Sequence, residues 1–210
     1  MKITKPLNDE ITLKDINSAI IENDLSYSLF EDDKIEDYAH LEYITISSTK
    51  FNNIDFNSVS LYKVNFVDVT FKNCDLSNIK LDDRMLRRVE FINCKLYSTD
   101  LTNNTIEEVY ILDSNASYIN LANSKLKNVL IKDSNLSNSF FLETKLSKVK
   151  FDHIDLSNSE FSKTSLKKID LSNSKIYDVK YDLYSISGAI IDPFQSQEIV
   201  RLLGVVVKDN

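Results

Sequence analysis

Two cysteines, Cys74 and Cys94, and two histidines, His40 and His153, are the only thiol and imidazole groups in the 210-residue chain. The histidines lie far apart and no Cys/His cluster has metal-ligand spacing, so no metal centre is expected. Two cysteines also do not describe a disulfide framework. Glycine occurs only at Gly188 and Gly204, which removes the backbone that phosphate-cradling loops and dinucleotide turns need, and no cofactor is expected. The same scarcity argues against tight hairpins, whose primed turns favour residues that tolerate positive φ. Carboxylates are plentiful, and Asp55, Asp75, Asp100 and Asp155 share one local setting, an aspartate just before an apolar residue. Paired carboxylates in a walled cleft can cleave glycosides; isolated ones on a surface can only bind.

The elements that position these residues follow from an internal repeat. Stepping by five from Leu41 through Ile46, Phe51, Phe56 and Leu61 to Ile191, each of 31 successive residues is apolar. At 42% apolar content such a run arises by chance with a probability of order 10⁻¹², and a period of five fits neither a helix nor a strand. Two residues before most apolar centres stands a small or β-branched residue, as at Val59, Val64, Val69, Cys74, Ile79, Val109, Ser114 and Ile119. Both series are expected to point inward. The remaining positions are mostly Asn, Asp, Ser, Lys and Glu, as in Ile154-Asp155-Leu156-Ser157-Asn158, and are expected to face solvent.

This pattern resembles the pentapeptide repeat family, over at least Leu41 to Ile191. The resemblance implies an all-β fold, a right-handed quadrilateral parallel β-helix in which four pentapeptides make one coil. Sorting the centres by twenties supports it: one column reads Phe51, Phe71, Phe91, Ile111, Ile131, Phe151, Leu171, Ile191. At the parallel-strand spacing of about 4.8 Å, about 7.5 coils make a rod roughly 36 Å tall. Cys74 and Cys94 then stack in one inward column, within disulfide reach but read here as two core thiols. Arg84 and Asn104 hold inward positions too, and Arg84 is expected to emerge at a distorted corner and pair with a carboxylate, because a buried unpaired guanidinium is costly. Ala116, between Leu96 and Leu136 in its column, leaves a volume that Ile119 is expected to fill.

Three segments are expected. Residues 1–40 break the period and read as an N-terminal cap, with Leu13, Ile16 and Ile20 at helical spacing, covering the first coil's open edge. Residues 41–191 form the β-helix. Residues 192–210 read as a helix capped by Asp192, Pro193 and Gln195 and stopped by Gly204, followed by a short strand at Val205-Val206-Val207. That ending resembles the quinolone-resistance (Qnr) subgroup, where it implies homodimerisation, with Phe194, Ile199, Leu202 and Leu203 as the contact candidates. No apolar run follows the N-terminus, so neither a secretory signal nor a membrane span is expected, and a cytoplasmic, bacterial protein is the reading.

An uninterrupted rod offers no concave pocket, so no catalytic residue is expected and the chain is read as a binding protein. The subgroup resemblance implies a mimic of duplex DNA that occupies a type II topoisomerase, gyrase or topoisomerase IV, with Asp55, Asp75, Asp100 and Asp155 as partner-binding candidates and no direct nucleic-acid binding. Charge bears on this. The net charge of −7 divides into −6 over residues 1–40, zero over 41–191 and −1 over 192–210. A duplex of the rod's height carries about 20 negative charges, so the repeat region is no uniform mimic. One outward column is basic, with Arg87, Arg88, Lys125, Lys127, Lys145, Lys148, Lys167 and Lys168 against Asp68, Glu107 and Glu108. The alternative is therefore an interaction scaffold whose basic stripe or acidic faces dock another protein.

Overall fold

The computed structural model describes residues 3–8, 10–36, 38–201 and 204–206. An eight-stranded sheet contains β1 (Thr12–Leu13), β2 (Ser28–Glu31), β4 (Thr45–Asn52), β6 (Asn65–Lys72), β7 (Met85–Ile92), β8 (Thr105–Leu112), β9 (Lys125–Lys132) and β10 (Lys145–Asp152), in that order. A second pair joins β3 (Ala39–Glu42) to β5 (Val59–Tyr62). All pairs are parallel and, from β4 on, partners are 20 residues apart, as at Phe51↔Phe71 and Phe71↔Phe91. Isolated bridges carry the other two sides, one through Asp55, Asp75, Lys95, Asn115, Asn135, Asp155 and Lys175, the other through Lys80, Asp100, Asn120, Phe140, Glu160 and Lys180. The chain is a parallel β-solenoid of about seven turns. Its four faces are named by their centres: the first by Phe71, the second by Leu76, the third by Leu81 and the fourth by Leu86.

Each corner is a residue in the left-handed region, two after a centre. From Tyr43 to Asp178, 26 of the 28 such positions have positive φ, Ser58 and Asn173 being the exceptions. Asn and Asp, which tolerate this conformation, supply 14 of them; Lys, Glu, Tyr, Arg, Ser and His supply the rest. Scarce glycine therefore does not mean scarce left-handed backbone. The pairing of β6 with β7 shows the corner, passing from Val67↔Arg87 to Val69↔Val89 and omitting Asp68 and Arg88.

Inside, like stacks on like. Phe30, Phe51, Phe71 and Phe91 form a column with centroids 5.2, 5.2 and 5.1 Å apart. Leu121, Leu126, Ile131 and Leu136, on four successive sides, are all buried, while Lys127 is exposed and Asn138 half-buried. Ala116 and Ile119 are both fully buried. Many polar residues in the second inward series donate to the carbonyl of the centre 23 residues earlier, whereas Ser114 and Ser134 donate to the carbonyl two residues earlier. Thr99 reaches Leu76 O at 2.9 Å, Ser124 Leu101 O at 2.7 Å, Thr144 Leu121 O at 2.8 Å, and Asn104 Leu81 O at 2.8 Å. Cys74 and Cys94, both free thiols, make the 23-residue bond to Phe51 O and Phe71 O. The neighbouring Cys94 thiol and burial push the Cys74 thiol well up.

The ends differ from a simple cap and stop. Leu25, Phe30 and Ile35 are buried centres at the same five-residue step, one residue out of phase with Leu41. The ladder accordingly reaches back past residue 41, with Phe30↔Phe51 paired at an offset of 21. Helix α1 (Ile16–Glu22), capped by Asp15, covers this end with Ile16 and Ala19. Residues 3–8 do not cover the end at all. They run along the corner between the fourth and first faces, where Leu7 N donates to Asp68 Oδ1 at 2.8 Å, Thr4 N to Glu108 Oε2 at 2.6 Å, and Tyr110 Oη to Ile3 O at 2.9 Å. At the other end α2 (Leu183–Ile186) interrupts the last coil. Asp192 Oδ1 accepts from Gln195 N while Gln195 Oε1 accepts from Asp192 N, the reciprocal cap ahead of α3 (Ser196–Arg201). Gln195 then plugs the rod, donating to Leu171 O and Ser174 O. Val205 and Val206 form no strand, since no edge lies beside them in this chain; Val207 lies outside the described residues.

Candidate partner-binding faces

The four candidate aspartates do not form one patch. Asp55, Asp75 and Asp155 lie in the ladder of the second face, and Asp100 in that of the third. Each sits just before a centre and accepts the N–H two residues on, from Asn57 at 2.8 Å, Ser77 at 3.0 Å, Thr102 at 3.0 Å and Ser157 at 2.9 Å. These are Asx turns that brace the corner. Lys95 and Lys175, one coil further on, stand 3.1 Å from Asp75 and 3.6 Å from Asp155. Burial opposes ionisation of Asp75, but the Ser77 hydroxyl and N–H and Lys95 hold its carboxyl below the usual range; Ser157 and Lys175 do the same for Asp155. The signal was in the sequence as Asp-x-Ser, Thr or Asn around each centre.

Among the described residues Asp55 and Asp100 have no cation within 4.0 Å, and a group of lysines is likewise unpaired. Lys125, Lys145, Lys148, Lys167 and Lys168 share the fourth face and its corner, and among the described residues none has a carboxylate within 4.0 Å. Lys125 and Lys145 are directly opposite in the ladder, an arrangement that costs free energy. Lys127 differs, pairing with Glu107 at 2.6 Å. Beside the stripe is a groove of about 620 Å³ lined by Lys145, Leu146, Lys163, Ser165, Lys167 and Tyr184, with Lys163 tied to Glu143 at 2.8 Å on its rim. Gly188 flanks it at φ +79; a Cβ there would lie 3.1 Å from Lys167 Cγ.

Arg84 does not emerge at the corner as expected, although it does lie within ion-pair reach of one carboxylate. It is 8% exposed, the nearest carboxylate oxygen is Asp83 Oδ2 at 3.8 Å, and that group is closer to Lys63, at 3.1 Å. Its guanidinium donates to Asp83 O and lies over the Tyr62 ring, 5.9 Å from the centroid. Asn104 stays inside, accepting from Arg84 N.

Of the C-terminal contact candidates, Phe194 is 86% exposed whereas Ile199 packs partly against the core. Leu202 and Leu203 lie outside the described residues. Among the described residues there is no cluster of His, Cys, Asp and Glu able to hold a metal, and no helix is long and apolar enough to cross a membrane.

Comparison with known proteins agrees with the geometry. The chain matches the pentapeptide repeat region family over residues 44–121 and the family of pentapeptide repeats over residues 141–176, together more than half its length. No curated protein matches it. Similar solved structures include trypsin-treated QnrB1, a plasmid-mediated fluoroquinolone resistance protein, at 24% identity over 87% of this chain and 89% of that one, with a TM-score of 0.41. HetL, a pentapeptide repeat protein involved in heterocyst differentiation regulation from the cyanobacterium Nostoc sp., is 16% identical over 84% and 95%, with a TM-score of 0.40. The repeats, their register and the matched families agree: this chain belongs to the pentapeptide repeat proteins.

Proposed function

We propose that the chain is a non-catalytic docking rod whose fourth face binds an acidic segment of a protein partner. The observation that carries this is the group of five lysines without carboxylates beside an open groove. Stacked like charges weaken a ladder, so their place on one face is better explained by a partner than by folding. The second reading is a one-sided mimic of duplex DNA acting on gyrase or topoisomerase IV through Asp55, Asp75, Asp100 and Asp155. It rests on the family resemblance, and the ion pairs of Asp75 with Lys95 and of Asp155 with Lys175 weigh against it, since they leave less free charge on that face. A supercoiling assay separates the two. Docking by lysines predicts no effect of the rod on gyrase at tens of micromolar, whereas inhibition or protection that is lost when the four aspartates become lysines would establish the mimic instead.

Self-association through the C-terminal segment is part of the proposal and rests on Phe194, 86% exposed. Light scattering should give twice the chain mass at micromolar concentration, and Phe194→Asp should halve it; a monomeric wild type would refute the dimer.

A further inference from the structure

The ladder of the third face lacks one rung. Ala39–Glu42 pairs with Val59–Tyr62, and bridges run from Lys80 to Asp100 and onward. Among the described residues, however, no backbone hydrogen bond joins residues 58–63 to residues 77–85. Elsewhere on this face Leu101 N bonds Asn120 O and Asp100 N bonds Ile79 O; the equivalent bonds from Leu61 N to Lys80 O and from Lys80 N to Val59 O are missing. Met85 N, whose counterpart Thr105 N bonds Arg84 O, takes the Asn65 side chain at 2.9 Å instead. Ser58, at the edge of the gap, is one of the two corner residues without a positive φ. The opening is a cleft of about 690 Å³ whose walls include Tyr38, Leu61, Tyr62, Ile79, Lys80 and Arg84.

Arg84 is the physical reason for the gap. Its inward column reads Val64, Arg84, Asn104, Ser124, Thr144, and a guanidinium cannot stack between Val64 and Asn104 as a small side chain does. It turns into the cleft, 8% exposed, with Nε lacking any hydrogen-bond partner. A valine here would close the rung and remove a buried cation whose contacts within the chain leave Nε without a partner. A planar fork of donors in a half-open cleft suits a carboxylate, and the unpaired N–H and C=O groups on both walls suit an extended main chain.

We infer that this cleft binds an extended peptide segment of a partner protein, pairing its main chain with the open edges and one Asp or Glu side chain with Arg84. The site lies toward the N-terminal end of the rod and does not depend on the lysine face. To test it, random linear heptapeptides displayed on phage are selected on the full-length protein. Enriched sequences should carry an acidic residue at a fixed position, and synthetic copies should shift the backbone amides of Leu61 and Lys80 and the Arg84 Nε–H in NMR spectra. Replacing that acid by its amide, or making Arg84→Lys, should weaken binding about tenfold, because a bidentate pair is lost. Arg84→Val should abolish binding while raising the melting temperature and slowing hydrogen exchange at Lys80, which shows that loss of binding is not loss of fold. Failure to enrich any peptide over the Arg84→Val protein, enriched peptides without an acid, shifts confined to the lysine face or to a self-contact, or sodium acetate alone reproducing the Arg84 shift with no peptide preference, would each overturn the inference.

Discussion

At a corner of the solenoid one residue carries both the shape and its cost. The left-handed corner disfavours an L side chain by about 1–2 kcal/mol unless it is Asn, Asp or Gly. Asn103, exposed, at φ 59 and with no side-chain hydrogen bond, isolates this effect. Asn103→Ala should lower stability by about 1 kcal/mol and Asn103→Gly should leave it nearly unchanged, read from urea titrations. Equal losses would show that a side-chain contact, not the backbone, sets the preference. The step of five made the inward residues legible, because burial tolerates few exceptions, but not the corners, whose occupants range from Asn to Lys and His. The aspartates were legible as residues, but the bond that Asp55, Asp75, Asp100 and Asp155 each accept from the N–H two residues on was not. Arg84 was legible as an anomaly, and the missing rung that explains it was not, because hydrogen bonding between coils leaves no trace in composition.

Elements differ in how firmly the repeat specifies them. Leu126 is 2% exposed within β9, and Leu126→Ala should cost about 2–5 kcal/mol, against almost nothing for Lys127→Ala on the same strand. Similar midpoints in denaturant would contradict the register. Before β3 the pattern slips by one residue, so Leu25, Phe30 and Ile35 escape a search that steps back from Leu41, although they continue the core. The arm of residues 3–8 has no repeat at all, and its place on the corner is set by carboxylates. Burial raises the cost of ionising Asp68, but the Arg88 guanidinium and Leu7 N–H outweigh it and hold the carboxyl below the ordinary value of 3.8. A depressed pKa in the folded state means that the contribution is present above that value and is lost as pH falls through the folded one. The Leu7 amide should therefore be protected from exchange at neutral pH and lose protection below about pH 4, well before the core strands do. Simultaneous loss would mean that the arm is not a separate unit.

For the whole molecule, a solenoid with one charge pattern per face can hold partners by position alone, without a moving part or a reacting group. Its net charge of −7 resides in the two ends, and the lysines on the fourth face stand against that background as a localised cationic strip. On this reading the strip holds the partner. The direct measurement is affinity capture, from the source organism's extract, on three immobilised rods: wild type, one with Lys125, Lys145, Lys148, Lys167 and Lys168 changed to Glu, and one with Asp55, Asp75, Asp100 and Asp155 changed to Lys. The lysine-reversed rod should fold like the wild type, because exposed substitutions change stability by only about 0.5 kcal/mol each, whereas the aspartate-reversed rod loses its Asx turns and is used only below its own melting temperature. A partner protein should be retained by the wild-type and aspartate-reversed rods and lost from the lysine-reversed one. Retention by the lysine-reversed rod, with loss from the aspartate-reversed one, would contradict it.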